Sequence, residues 1–255
     1  MRKRLFGESA FVAYSERVYL LEEEIVATIV LVHMANAGGW IFRSVAACLR
    51  AAGHLVYTPT LTGLGERVHL AHPDIDLDTH IQDIVNVLTF EDLSDVSLLG
   101  HSYGGTVITG VAERIPERLS ELIYLDSTAP HDGESSVDTL GEAVKEEWGR
   151  SAALSGDGWR LPAGRGDPRL VPHPCATLTQ QARIGNPLAQ DLKRTFISCT
   201  AKPDDWPLKE PIDRFAAQAR AAGWRYRELE AGHSAALFRA PDRLATLLLE
   251  LFPGD

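Results

Sequence analysis

The sequence predicts an α/β fold, with a mainly parallel sheet covered by helices on both faces of a single domain. Three observations point there. Short β-branched apolar runs alternate with amphipathic helical stretches along most of the chain. Several of these runs are apolar throughout rather than alternating, which suits strands buried on both faces. The 255 residues, 45% of them hydrophobic, suffice for one sizeable core.

Residues 1–25 carry Phe11-Val12-Ala13-Tyr14 and Val18-Tyr19-Leu20-Leu21, which can pair as a hairpin, and form an N-terminal extension. Residues 26–32, Val-Ala-Thr-Ile-Val-Leu-Val, are the first strand. They are short, apolar and end near glycines. A helical pattern from Trp40 to Ala52 stops at Gly53. His54–Tyr57 is the second strand, ended by Thr58-Pro59. Residues 78–89 place Ile81, Ile84, Val85 and Leu88 on one helical face, with Asp78 or Thr79 as cap. Val96–Leu99 is a third strand, Tyr103–Arg114 a helix and Leu122–Leu125 a fourth strand.

Residues 127–194 interrupt the alternation. They are rich in Pro and Gly and carry Trp148 and Trp159. An insertion that long inside a compact domain is usually functional, so a cap over the site is expected. The pattern then resumes with a strand at Thr195–Thr200, a helix at 211–222 bearing Ile212, Phe215, Ala216 and Ala219, and a strand at Tyr226–Leu229. A terminal helix follows, with Pro241 in its first turn. The expected core is therefore 26–126 with 195–255.

A net charge of −10 gives no electrostatic reason to bind nucleic acid. Arg2-Lys3-Arg4 reads as a solvated terminus. Three cysteines cannot all pair. Cys48 and Cys199 read as buried thiols, and no Cys or His spacing suggests a metal. Neither a signal-peptide core nor a membrane span is evident, so a cytoplasmic protein is expected.

Gly100-His101-Ser102-Tyr103-Gly104 matches G-x-S-x-G between a strand and a helix, the context that motif needs. The glycines permit a sharp turn that lifts Ser102 above the strand ends, where the helix dipole favours negative charge. A serine hydroxyl needs a base. Of the nine histidines, only His233 follows the last strand and precedes the terminal helix. His33 and His101 sit at strand ends and read as packing or hydrogen-bonding residues. The segment His33–Trp40 lies beside the turn, and the amides of Ala35 and Tyr103 are assigned to an oxyanion hole.

Together Val30–His33 with Gly38-Gly39-Trp40, Thr60–Arg67, Gly100–Gly105, Ile123–Asp126 and Gly232-His233 resemble the α/β-hydrolase superfamily. Within it they are similar to the branch of plant-type methylesterases, hydroxynitrile lyases and small bacterial esterases. The resemblance implies an α/β-hydrolase fold, a Ser–His–acid arrangement, an oxyanion hole and a helical cap, with no cofactor. Three positions depart from that pattern. Met34 stands where a glycine often follows the histidine. Ser234 stands where the lyases carry a lysine, which disfavours cyanohydrin cleavage. The usual acid position falls on Ala201 or Lys202, leaving two candidate acids: Asp126 at the end of an apolar strand, or Asp205 after a short insertion.

The expected activity is hydrolysis of a small or medium hydrophobic ester, thioester or lactone through an acyl-enzyme. The tryptophans Trp40, Trp148, Trp159 and Trp206 are candidates for an apolar pocket. Two rival readings stay open: a cofactor-independent lyase or oxygenase using a His233–Asp126 dyad, and a non-catalytic ligand receptor. The 1–25 extension reads as the arm of a homodimer, a lid or a disordered segment.

Overall fold

Among the described residues, each apolar run read as a strand belongs to one six-stranded parallel sheet. The computed structural model describes residues 26–155, 157–164 and 167–252. The hairpin expected within 1–25 lies outside them.

The chain begins with β1 (Thr28–Val32), a 3-10 turn (Gly39–Phe42), α1 (Arg43–Ala51), β2 (Leu55–Tyr57) and α2 (Leu77–Phe90). Next come β3 (Val96–His101), α3 (Tyr103–Arg114) and β4 (Leu119–Leu125). Between β4 and the next sheet strand lie α4 (Ser136–Leu140), α5 (Glu142–Ser155), a small ladder of β5 (Arg160–Leu161) with β6 (His173–Pro174), α6 (Ala176–Thr179) and α7 (Pro187–Gln190). The core resumes with β7 (Lys193–Cys199), α8 (Lys209–Ala221), β8 (Arg225–Leu229), α9 (Ala235–Phe238) and α10 (Pro241–Leu251).

Alternate residues of each strand point to opposite faces, so each strand feeds two cores. Val30, Val32, Leu98, Leu122, Tyr124 and Phe196 pack with α2, α3 and α8. Ile29, Leu31, Leu99, Ile123 and Ile197 pack with α1 and α10. Each fully buried Leu or Ile contributes about 1.5–3 kcal/mol relative to exposure.

Two expectations are corrected. The second helix starts at Leu77, and its cap is Asp76 rather than Asp78 or Thr79. The Asp76 carboxylate accepts the Thr79 amide at 2.9 Å, so Thr79 is the reciprocal partner of a capping box. Cys199 is buried, but Cys48 is only half-buried. Among the described residues no helix is long and apolar enough to cross a membrane.

The strand order β2-β1-β3-β4-β7-β8 positions the site. From β1 the chain crosses to β2 on one side, and from β3 it crosses to β4 on the other. The loops leaving β1 and β3 therefore diverge and open a crevice at the carboxyl edge, where ligands bind in such sheets. The two loops are residues 33–38 and the turn at Ser102.

Candidate active site

Ser102 has φ +54° and ψ −121°, a left-handed conformation held between β3 and α3. Such a non-glycine residue costs about 1–3 kcal/mol, so its surroundings must impose it. Its amide donates to Leu125 O at 3.2 Å. Its carbonyl accepts from Gly105 N–H at 2.9 Å and from the Ser127 hydroxyl at 2.5 Å. The flanking glycines are required by close approach. A Cβ on Gly100 would lie 2.4 Å from the Gly104 carbonyl oxygen, and one on Gly104 2.5 Å from that of Val32.

Asp126 follows β4 and is also left-handed, with φ +42°. Its amide donates to Ile197 O at 2.8 Å, which pins it to the neighbouring strand. The carboxylate is fully buried. Oδ2 accepts from His233 Nδ1 at 2.7 Å, while Oδ1 accepts from the Cys199 amide at 3.1 Å and from Lys202 Nζ at 2.7 Å. Burial alone would push this carboxyl up. The His233 contact and the Lys202 charge overcome that and hold it below the usual carboxylate range. An ionised carboxylate can only accept, so His233 carries its proton on Nδ1 and leaves a lone pair on Nε2.

The loop carrying His233 is tied to the end of β7. Thr200 N–H donates to Leu229 O at 2.9 Å and Ala201 N–H to Ala231 O at 3.0 Å. The His233 ring sits between two others, with centroids 4.7 Å from His101 and 4.6 Å from Trp206. His101 is the neighbour of Ser102, so the stack brings the elbow and the His233 loop together. Among the described residues, no hydrogen bond joins the Ser102 hydroxyl to His233. Asp205 is exposed, outside the buried carboxylate cluster, and His233 engages Asp126 instead.

Ser102, Ala35 and Tyr103 line one small cavity of about 30 Å³, together with Trp148, Leu178 and Leu208. Tyr103 opens α3, so its amide has no acceptor within the helix. Of the four tryptophans singled out in the sequence, Trp148 lines this cavity and Trp206 stacks on His233. Trp40 and Trp159 instead stack under Arg169 and Arg160. Met34 is buried in the core cluster of α1 and α10 and is not among the residues that line this cavity.

Sequence reasoning missed a set of polar residues around the site. The loop after β1 is tied to the segment between β4 and β7 by Asn36, itself left-handed at φ +64°. Its side chain donates to Val171 O at 2.8 Å, its amide donates to His173 Nδ1 at 3.2 Å, and its carbonyl accepts from Val171 N–H at 2.9 Å. His80 Nε2 donates to Thr62 O at 2.9 Å, so its Nδ1 accepts from the Tyr103 hydroxyl at 2.8 Å. Burial pulls His80 down to about 4, so it is neutral. Lys202, read only as a non-acidic residue, lies buried against Asp126. Isolated polar residues, whether in loops like Asn36 or within a helix like His80, carry no local pattern that would have flagged them. Among the described residues no cluster of His, Cys, Asp or Glu is arranged to hold a metal ion.

Comparison with known proteins places this geometry in context. The model of the alpha/beta hydrolase family matches residues 29–247. A carbendazim hydrolyzing esterase of Nocardioides sp. (strain SG-4G) is 50% identical over 122 residues, which is 48% of this chain and 50% of that protein. A putative chloroplastic methylesterase 14 of Arabidopsis thaliana is 31% identical over 124 residues, 48% of this chain and 36% of that one. The matched stretches thus span about half or less of these relatives' length. An extracellular alpha/beta-hydrolase from a Paenibacillus species superposes with a TM-score of 0.76 at 22% identity, covering 89% of this chain and 99% of its own. At that identity the likeness speaks to fold.

Proposed function

The chain belongs to the alpha/beta hydrolase family, and from that premise we propose that it is a serine hydrolase cleaving a small or medium hydrophobic carboxylic ester, thioester or lactone. His233 Nε2 takes the proton of Ser102, and Ser102 Oγ attacks the carbonyl carbon. The amides of Ala35 and Tyr103 hold the oxyanion, and Asp126 holds His233 in the tautomer that leaves Nε2 basic. His233 then protonates the leaving alcohol or thiol. It next activates a water that releases the acid from the acyl-enzyme.

The observation that carries this reading is the 2.7 Å bond from His233 Nδ1 to buried Asp126, beside an elbow that holds Ser102 at φ +54°. In an unliganded site the serine–imidazole contact is commonly long and tightens when substrate arrives. The names of the two relatives support ester chemistry. The apolar cavity lining of Trp148, Leu178 and Leu208 supports a hydrophobic acyl or alkoxy group.

Residues 127–194 act as the cap in this proposal. Their Trp148 and Leu178 cover Ser102, and a cavity of about 30 Å³ has room for no more than a water or two. Substrate entry therefore needs the cap to shift. The free cysteines support a cytoplasmic setting.

Ser102→Ala is expected to abolish hydrolysis of p-nitrophenyl butyrate with an unchanged circular dichroism spectrum. Asp126→Asn should lower kcat by about 10³–10⁴-fold, since the amide favours the wrong tautomer. Asp205→Asn should leave kcat unaltered. Undiminished turnover by Ser102→Ala would sink the proposal. The same result, without labelling of the wild type by a fluorophosphonate, would favour the His233–Asp126 dyad chemistry of a lyase or oxygenase.

A further inference from the structure

We propose that Lys202 is a positioning residue for this site: its ammonium, buried between Asp126 and Asp213, sets the pH at which the Asp126–His233 pair takes up a proton. As it concerns the reaction, this rests on the hydrolase reading above. Lys202 follows β7, where the ties from Thr200 to Leu229 and from Ala201 to Ala231 fix the loop beside His233. Its side chain is 2% exposed. Nζ lies 2.7 Å from Asp126 Oδ1 and 2.8 Å from Asp213 Oδ1 on α8.

A buried ammonium is costly unless paired and hydrogen-bonded. Here it has two carboxylates, and both partners do something else as well. Asp126 presents its other oxygen to His233. Asp213 is 42% exposed and bonds Lys209 at 3.0 Å, which in turn lies 3.7 Å from the exposed Asp204. A chain of alternating charge thus runs from solvent to the imidazole: Asp204, Lys209, Asp213, Lys202, Asp126, His233. Lys202 is its only member between the surface carboxylates and the buried one.

Among the described residues, the other groups facing this cluster are neutral. His101, from β3, is fully buried, and among the described residues neither ring nitrogen has a partner. Behind it His33, from β1, is pulled down to about 4 by burial. Burial pushes the Cys199 thiol, from β7, well up, so it stays protonated. Trp206 carries no charge. The charges that act on His233 at close range are therefore those of Asp126 and Lys202, with Asp213 behind.

The sign follows. Protonating Nε2 makes His233 a cation. Asp126 favours that cation, Lys202 opposes it, and Asp213 weakens the opposition. Lys202 offsets the pull of the Asp126 charge on the imidazole proton. The same ammonium holds Oδ1 in place, so the carboxylate presents Oδ2 to the ring.

Two substitutions must act in opposite directions. Lys202→Met removes the opposing charge and should move the acid limb of kcat/KM upward by about one pH unit. Asp213→Asn should move it downward, by less, because water screens a half-exposed carboxylate. The double variant should sit between them. The His233 ring is followed in parallel by NMR titration in all three variants and in wild type, a readout independent of turnover. Ring titrations shifted up in Lys202→Met and down in Asp213→Asn support the proposal, whether or not an ester is hydrolysed. Failure of ester hydrolysis alone strikes the hydrolase reading only. Ring titrations that coincide with wild type, or shift the same way in both variants, overturn the role given to Lys202. Should Lys202→Met not fold, Asp213→Asn decides, and an unmoved ring titration there overturns it.

Discussion

His33 and His101 stand at the carboxyl ends of β1 and β3, yet neither has the surroundings of a base. His33 Nδ1 donates to Met34 O at 2.8 Å and its Nε2 accepts from Leu61 N–H at 3.1 Å, so both nitrogens are committed to shaping the loop after β1. His101 is the opposite case. Among the described residues neither ring nitrogen has a partner, and burial pulls its pKa well below the ordinary value. A buried polar group without a bond costs about 1–3 kcal/mol, so replacing it with an apolar side chain relieves that cost. His101→Leu is expected to leave the melting temperature unchanged or raised, and to lower kcat by less than about tenfold, whereas His233→Ala removes activity. Thermal melts and p-nitrophenyl ester kinetics check both. Ser102 and His233 were legible in the sequence because each lies in a local pattern of glycines and element ends. Asp126 was legible as a candidate acid at a strand end, with Asp205 as the alternative, but its contact with His233, 107 residues away, is visible only in the fold.

The start of α3 was legible because the G-x-S-x-G turn fixes it at Tyr103, whereas the start of α2 was not, because capping decided it. Asp76 was overlooked because its reciprocal partner is Thr79 rather than the usual Glu or Gln. The same reciprocal geometry recurs at α4, where Ser135 and Asp138 cap each other. The Lys145 ammonium and the Ser135 hydroxyl and amide hold the Asp138 carboxyl at about 2. A carboxyl depressed on folding stabilises above its ordinary value of about 4 and loses that contribution as pH falls toward its folded value. The stability advantage of wild type over Asp138→Asn should therefore be full at neutral pH and shrink progressively below about pH 4. Urea unfolding of both proteins between pH 7 and pH 3 measures it. A constant difference across that range would exclude a charge-dependent cap.

At the scale of the molecule, the diverging loops at β1 and β3 create the crevice, and the segment between β4 and β7 contributes Trp148 and Leu178 to the lining of the cavity at Ser102. Trp148 is the bulkiest side chain over Ser102. Trp148→Ala should enlarge the cavity and raise the ratio of kcat/KM for p-nitrophenyl octanoate over acetate by about tenfold. An unchanged ratio would place the acyl group elsewhere. Two wider clefts, of about 690 and 490 Å³, lie away from Ser102, so size alone does not identify this site.

The order of elements, the layered α/β architecture, the serine elbow and the histidine loop were all readable from residue pattern, because each depends on neighbours within a few positions. The choice of Asp126 over Asp205, the burial of Lys202 between two carboxylates and the tie from Asn36 to His173 depended on the folded chain. Those contacts join segments tens to more than a hundred residues apart, and their strength comes from shared burial that no local pattern encodes.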